Sequence, residues 1–321
     1  MERRRFLATL PALPISATLP LALSGCALTR PPLLVGACPW PGTASLRLAE
    51  SEALLPPACA RLLDFPNASM VLAAFRNGSL DAAVVTLDEA LLLAAHDQAP
   101  RLVCVVDFSE GASGLLTRPP AEGLGSLRGA RVGVETEAGG AYLVAKALER
   151  AGIGLDEVVF VPLPLDRHED AYLERRVDAL VSAEPVRSRL LALGARELFS
   201  TREMAGELAN VIVVRELQLA SRRADVRCLI AGHFAGRERL LADPRAAAQA
   251  LGPRAGLPPE AFSLALQGLR LPDPAENRRL FASGELAEVL GQVALTLHNY
   301  RLLHAQVPGE SLLDSSLIEE V

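Results

Sequence analysis

Three side chains that could bind a small molecule each come directly after a short apolar run. They are Trp40, Asp107 and Glu184. An indole ring can stack on a flat molecule, and a carboxylate accepts hydrogen bonds from N–H donors or pairs with a cation. Ligands of open α/β sheets bind beyond the carboxyl ends of the strands. If the apolar runs are strands, these residues predict a site for a flat molecule with donors or positive charge. The alternatives are that Trp40 packs over the end of the sheet and that Asp107 caps its own turn.

A second kind of binding chemistry is predicted by the stretch Arg131–Tyr142, RVGVETEAGGAY. Its pattern indicates a strand, a glycine-containing turn and a helix. The first N–H groups of such a helix are free and lie at the positive end of its dipole. Gly139, Gly140 and Ala141 would present these backbone groups to a ligand. An ordinary strand-to-helix turn is the alternative.

Two residues with hydroxyl groups also lie just beyond predicted strands. Thr86 follows the predicted strand Ala82–Val85, and Ser109 lies in the polar loop after Asp107. Either hydroxyl could bind a ligand. The alternative for Thr86 is the N-cap of a helix over Asp88–Ala95, and the alternative for the loop is a solvated turn.

Catalytic chemistry is not predicted. The spacing of the five histidines and five cysteines matches no zinc motif, and no Ser-His-Asp arrangement or nucleophile elbow is present. We therefore expect no catalytic residue, metal or cofactor. Cys104 lies in an apolar run and is expected in the core. Cys38 and Cys59 could form a disulfide, although the sequence does not place their Cα atoms within range.

The N-terminus has the pattern of an export signal. Arginines at positions 3–5 precede the apolar stretch Pro11–Leu23, and the sequence LSGC ends at Cys26. This pattern is typical of a secretory signal with a lipobox, in which residues 1–25 are removed and Cys26 is lipidated. Residues 26–32 would form a lipidated linker. Export could follow the Sec or the twin-arginine route, and an uncleaved membrane anchor is the alternative.

The charge of the chain argues against a nucleic-acid partner. The formal net charge is −6 at pH 7, and no basic stripe offers a footprint for phosphates. The length of 321 residues allows one or two domains with cores of their own.

Strand and helix patterns alternate in two blocks, about Leu33–Leu116 and about Thr117–Arg202. A helical block follows from Arg222 to the C-terminus. This alternation predicts an α/β fold with mostly parallel sheets flanked by helices.

This layout and several short stretches resemble one family. The chain resembles type II periplasmic substrate-binding proteins of ABC importers, most of all the branch that handles nitrate, sulfonates, taurine and thiamine-pyrimidine precursors. The matching stretches are PWPG at 39–42, AFRNG and LDAA within 74–83, DFSEGA at 107–112, LRG and RVGVE within 127–135, and RVDA and SAEP within 176–185.

The resemblance implies two α/β lobes that are joined by two hinge crossings and close over a ligand. The first lobe would comprise residues 33–116 and 205–321, with the C-terminal helices packed on it, and the second would comprise residues 117–204. An ABC permease and ATPase are the implied partners, and a monomer is expected. The implied ligand contacts are Trp40, Thr86, Asp107 and Ser109 in the first lobe and Gly139, Gly140, Ala141 and Glu184 in the second.

Two departures from that family narrow the expected ligand. Sulfonate and taurine binders tend to carry hydroxyl residues and a histidine in the glycine turn, whereas Ala138–Ala141 offers backbone N–H groups only. No arginine lies in the candidate strand-end loops. A strongly anionic ligand is therefore not expected, and a nitrogen heterocycle of the pyrimidine-precursor kind fits Trp40, Asp107 and Glu184 together.

Two other functions stay open at this point. A sensory or tethering lipoprotein could keep the same fold without a transporter, and the neighbouring genes would distinguish it from an importer component. A fungal pyrimidine synthase shares the fold but depends on a lysine-bound cofactor and a cysteine-rich motif. Here Lys146 is the only lysine, it lies in the middle of a predicted helix, and there is no such run of cysteines.

Overall fold

The structure is a computed structural model that describes residues 30–96, 98–135, 140–303, 305 and 307–321. The predicted signal peptide, the lipidation site Cys26 and the predicted ligand contact Gly139 lie outside these ranges.

Strands and helices alternate through the first two thirds of the described chain, and helices dominate the last third. The strands are β1 (Leu33–Ala37), β2 (Ala60–Asp64), β3 (Ala82–Thr86), β4 (Pro100–Ser109), β5 (Ser113–Thr117), β6 (Arg131–Val134), β7 (Val159–Pro162), β8 (Ala179–Ala183), β9 (Arg196–Ser200), β10 (Ala209–Arg215) and β11 (Leu269–Arg270). The helices are α1 (Ala44–Ser51), α2 (Ala68–Arg76), α3 (Leu87–Ala95), α4 (Ala141–Ala151), α5 (His168–Leu173), α6 (Val186–Ala192), α7 (Glu216–Ser221), α8 (Arg223–Ala242), α9 (Pro244–Leu251), α10 (Pro259–Gln267), α11 (Pro274–Ala282) and α12 (Glu285–Asn299).

The strands form two mixed sheets. The six-stranded sheet has the order β11-β4-β10-β3-β1-β2, in which β10 is antiparallel to both of its neighbours. The five-stranded sheet has the order β7-β6-β8-β5-β9, in which β5 is antiparallel to both of its neighbours. We call the six-stranded sheet with its helices the first lobe and the five-stranded sheet with its helices the second lobe.

The predicted two-lobed α/β fold is confirmed, but the sheets are less parallel than predicted. The pairs β1–β2, β1–β3, β6–β7 and β6–β8 are parallel, as alternation of strand and helix requires. The strands β5 and β10 each arrive from the other lobe without a crossover helix. Antiparallel pairing needs no such helix, so the alternation pattern did not predict it.

The first crossing between the lobes lies earlier than predicted. Strand β4 ends at Ser109 in the first sheet, and β5 begins at Ser113 in the second sheet. Leu115 and Leu116, which the prediction assigns to the first lobe, therefore belong to the second lobe. The second crossing lies between Ser200 and Ala209, which brackets the predicted boundary at residues 204–205.

The C-terminal helices pack on the first lobe, as predicted. Val226, Ile230 and Phe234 of α8 share one apolar cluster with Leu33 and Val35 of β1. Helix α12 packs against both α3 of the first lobe and α4 of the second lobe. Within the described ranges no single helix is long and apolar enough to cross a membrane. Helices α11 and α12 meet that test only when taken together, across a bend of 66°.

A disulfide ties the two parts of the first lobe together. It joins Cys59, just before β2, to Cys228 in α8, with the Cα atoms 6.3 Å apart. The pairing of Cys38 with Cys59, which the sequence left open, does not form, because the partner of Cys59 comes from a helix 169 residues further along the chain. Cys38 and Cys104 are free, and Cys104 lies fully buried in β4 as predicted.

Candidate functional site

A cavity lies between the two lobes, where strand ends of both sheets face each other. Most of the predicted contacts that the structure describes reach it, namely Trp40, Thr86, Gly140 and Glu184. Other polar groups on its wall are Cys38, Glu89, Ser113, Glu135, His168, Ser182 and Asn210, and apolar groups include Ala68, Val84, Leu143, Leu165, Val181 and Leu208. None of the described lining residues is an arginine or a lysine.

The indole of Trp40 is held by its edge. Its Nε1 donates a hydrogen bond of 2.9 Å to Oδ2 of Asp107, and Nδ2 of Asn210 donates one of 2.9 Å to Oδ1. The Trp40 carbonyl accepts from the Thr43 hydroxyl at 2.7 Å, which fixes the backbone of this turn. The half-buried ring lines the cavity, so it can offer an apolar surface while its polar edge is satisfied.

Asp107 does not contact the cavity, contrary to the prediction. Strand β4 continues to Ser109, so Asp107 is a residue within the strand and is 0% exposed. Both carboxylate oxygens are engaged, one by Trp40 and one by Asn210. Burial raises the pKa of Asp107 to about 7, and the two hydrogen bonds only partly oppose this. Asp107 therefore positions the indole instead of binding a ligand.

Ser109 is also misassigned as a ligand contact. It is fully buried at the first crossing, where its Oγ lies 2.9 Å from Oγ1 of Thr201. The Thr201 hydroxyl also accepts from the backbone N of Gly111 at 2.8 Å and donates to the carbonyl of Ser113 at 3.3 Å. Thr201 comes from the second crossing, so this network joins the two crossings between the lobes.

Thr86 lines the cavity and also takes the alternative role that the sequence left open. It is the N-cap of α3, and its backbone N donates to Oε2 of Glu89 at 2.9 Å. Its hydroxyl donates to the carboxylate of Asp88. The Thr86 side chain lies at the cavity wall with its proton already used, so only its oxygen is left to accept from a ligand.

Gly140, the described end of the predicted glycine turn, lines the cavity. Gly140 has φ of 107°, a left-handed conformation that favours glycine, and a Cβ there would come within 2.9 Å of Val181. Ala141 is the first residue of α4 and is buried without lining the cavity.

Glu184 lines the cavity, but its charge is compensated inside the protein. Its carboxylate accepts from Nη1 of Arg187 at 3.0 Å and from the hydroxyl of Ser188 at 3.0 Å. The backbone N of Ser188 donates to it at 3.2 Å, so it also caps α6. This carboxylate is 1% exposed and forms an internal ion pair with Arg187. It is therefore not free to accept hydrogen bonds from a ligand, contrary to the prediction.

Glu89, Glu135 and His168 are site residues that the prediction missed. Glu135 follows β6 directly, so the strand-end rule that selected Glu184 would also have found it. His168 Nε2 lies 3.1 Å from the carbonyl of Leu163, which can only accept, so this nitrogen carries the proton. Nδ1 then accepts from the Ser182 hydroxyl at 3.2 Å. Burial lowers the pKa of His168 to about 4, so the ring is neutral at pH 7.

The thiol of Cys38 lies at the cavity in an environment that opposes ionisation. Burial and the nearby carboxylates of Glu89 and Glu135 raise its pKa far above the ordinary value. A thiolate nucleophile is not favoured here. Among the described residues, no group of three or more histidines, cysteines, aspartates or glutamates could hold a metal ion.

Two lobes, two chain crossings and a cavity between strand ends define the type II periplasmic binding-protein fold. Residues 31–252 match the NMT1-like family. This match spans more than half of the chain, and the chain belongs to the NMT1-like family. A comparison with curated proteins gives no match.

Solved structures share this fold at low sequence identity. The alkanesulfonate-binding protein SsuA from Xanthomonas axonopodis pv. citri, bound to MOPS, has a TM-score of 0.78 at 17% identity, over 89% of this chain and 99% of that chain. The periplasmic nitrate-binding protein NrtA from Synechocystis PCC 6803 has a TM-score of 0.73 at 10% identity, over 90% and 88%. The desulfurization enzyme DSZB has a TM-score of 0.63 at 18% identity, over 91% and 98%. The fold therefore occurs in both binding proteins and an enzyme.

Proposed function

We propose that this chain is a lipid-anchored extracytoplasmic substrate-binding protein that delivers a small, flat, nitrogen-containing solute to an ABC importer. The observation that carries the proposal is the cavity between the lobes, with an aromatic face and acidic groups on its wall. A cavity between two lobes that can move apart suits reversible capture of a solute.

The lining favours a ligand with N–H donors or positive charge. Trp40 offers a ring face, and the acidic side chains of Glu89 and Glu135 lie at the cavity wall. One oxygen of each already accepts from the backbone of Thr86 or Ser69, so the second oxygen is the one proposed to meet a ligand. Stacking on an aromatic ring and one charge-assisted hydrogen bond together contribute about 2–4 kcal/mol. A neutral or protonated aminopyrimidine combines a flat ring with such donors.

The named relatives support a role in solute binding without defining the solute. SsuA and NrtA are named for binding alkanesulfonate and nitrate, which are anions. The absence of arginine and lysine from the described cavity wall argues against the same ligands here. We therefore carry over the role in import and not the anionic substrate.

The binding experiment uses the fluorescence of Trp40, which is the only tryptophan. Purified protein, freed of ligand by partial unfolding and refolding, would be titrated with 4-amino-2-methylpyrimidine, methanesulfonate and nitrate. We expect the aminopyrimidine to change the emission at micromolar to millimolar concentration and to be recovered unchanged. Turnover above background would favour an enzyme, and tight binding of the anions alone would contradict the proposed ligand class.

The proposed anchor and partners require a cellular experiment. Cys26→Ser should give an unlipidated precursor, whereas a soluble product with an intact N-terminus from the natural chain would contradict the anchor. Uptake of the solute should depend on a permease and ATPase encoded beside this gene. If binding persists but no transporter is encoded there, the sensory or tethering role is favoured instead.

A further inference from the structure

Two carboxylates of the second lobe converge on the N-terminus of α2 in the first lobe. Oε1 of Glu135 accepts from the backbone N of Ser69 at 2.9 Å and from its hydroxyl at 2.6 Å. Oδ1 of Asp166 accepts from Nδ2 of Asn67, the N-cap residue of α2, at 2.8 Å. Glu135 is 7% exposed, so its contact is shielded from water. The negative charge that a helix N-terminus favours is thus supplied by the chain itself.

These contacts oppose binding of an anion at the N-terminus of α2. The N–H and hydroxyl of Ser69 that would hold it already donate to Glu135. A second negative charge beside a buried carboxylate is repelled strongly, because the local dielectric constant is well below that of water. A neutral or positively charged solute meets no such penalty.

We propose that Glu135 is a specificity residue that takes the place of an anionic ligand. It holds the lobes in contact and excludes anions from the N-terminus of α2, so that the cleft accepts only neutral or cationic solutes. This inference rests on the proposed function, because it assigns the solute class of that same cleft.

Formate tests the inference because it is a free carboxylate small enough to take the place of the Glu135 carboxylate beside Ser69. Glu135→Ala removes the carboxylate but leaves both donors of Ser69 in place. Sodium formate at 100 mM should then raise the melting temperature of Glu135→Ala by about 2 °C or more relative to sodium chloride at equal ionic strength. The natural chain should show no formate-specific shift, and neither should Glu122→Ala, which removes an exposed glutamate of the second lobe.

Binding of methanesulfonate gives the second measurement. Calorimetry should show at least tenfold tighter binding to Glu135→Ala than to the natural chain. Glu135→Gln keeps an acceptor for Ser69 and should fold even if the alanine variant does not. It should respond to formate less than Glu135→Ala, and it should bind methanesulfonate more tightly than the natural chain because the repelling charge is gone.

Each outcome decides the inference. Methanesulfonate binding that is equal in the natural chain and in both variants would overturn it, as would a formate response that is equal in Glu122→Ala and Glu135→Ala. Neither measurement uses the aminopyrimidine. Failure of the proposed function would instead appear as absent aminopyrimidine binding in a chain whose formate response is as expected.

Discussion

The indole Nε1 of Trp40 donates a hydrogen bond of 2.9 Å to the fully buried carboxylate of Asp107. Two residues that were predicted as separate ligand contacts therefore act as one unit. Asp107 fixes the rotation of the ring from behind, and the ring alone faces the cavity. Substitutions of Asp107 should therefore change the free energy of unfolding, and substitutions of Trp40 should change the affinity for a ligand.

Asp107→Asn should flatten the pH dependence of stability. Burial raises the pKa of Asp107 to about 7 in the folded state, above the unfolded value of about 3.9. The folded state therefore holds a proton that the unfolded state has lost, and this contribution to stability disappears as the pH rises through about 7. Urea unfolding measures the free energy of unfolding at pH 5 and at pH 8. Between these values it should fall by up to about 2–3 kcal/mol more in the natural chain than in Asp107→Asn.

The matched control for this prediction is Asp170→Asn, which changes an exposed aspartate on α5. It should follow the natural chain at both pH values. A fall in stability that is the same in Asp107→Asn and in the natural chain would show that Asp107 titrates as an ordinary carboxyl.

Trp40→Ala and Trp40→Phe should separate ring stacking from ring orientation. Trp40→Ala removes the flat face, so binding of 4-amino-2-methylpyrimidine should weaken about tenfold or more. Trp40→Phe keeps an aromatic face but loses the donor to Asp107, so it should weaken binding less and lower the melting temperature. Calorimetry measures both, since the fluorescent residue is gone. Unchanged affinity in Trp40→Ala would place the ligand elsewhere.

Glu184→Gln should affect stability more than binding. The carboxylate is 1% exposed and is paired with Arg187, whose side chain is 11% exposed. The variant weakens this pair, although Arg187 keeps its second partner, Glu197, at 2.6 Å. Loss of such a charged hydrogen bond costs about 1–3 kcal/mol in unfolding free energy. The preference for a cationic over a neutral ligand should stay within about twofold. A selective loss of cation affinity with unchanged stability would restore Glu184 as a ligand contact.

Thr201→Val should weaken the junction of the two crossings. The variant keeps the shape of the side chain but removes the hydroxyl that serves Ser109, Gly111 and Ser113. The buried N–H of Gly111 then lacks its acceptor, and the free energy of unfolding should be lower by about 1–3 kcal/mol. Hydrogen exchange of the Gly111 amide should quicken as well. Thr296→Val on α12 provides the control, and an equal loss in both variants would argue against a special role for the crossing.

Strand ends were predictable because local apolar runs mark the strands, and this placed Trp40, Thr86 and Glu184 at the cavity. Glu135 obeys the same rule, but only the backbone groups of its turn had been considered as ligand contacts. What its carboxylate binds is set by Ser69, which is 66 residues away, and no local pattern encodes that pairing.

Asp107 and Ser109 were misassigned for a similar reason. Strand β4 reaches Ser109 because Leu269 of β11 pairs with Ser109, and that partner is distant in sequence. The disulfide partner of Cys59 is equally remote. Contacts that depend on long-range pairing decide whether a polar residue near a strand end faces a ligand or the core.

The disulfide between Cys59 and Cys228 closes a covalent ring around the whole second lobe, because both crossings lie between the two cysteines. A protease that cuts once within the second lobe would leave two fragments that separate only after reduction. Both cysteines belong to the first lobe, so the second lobe is an insertion within the first lobe. Replacing residues between the crossings with the equivalent lobe of another family member would change half of the cleft while the ring stays closed.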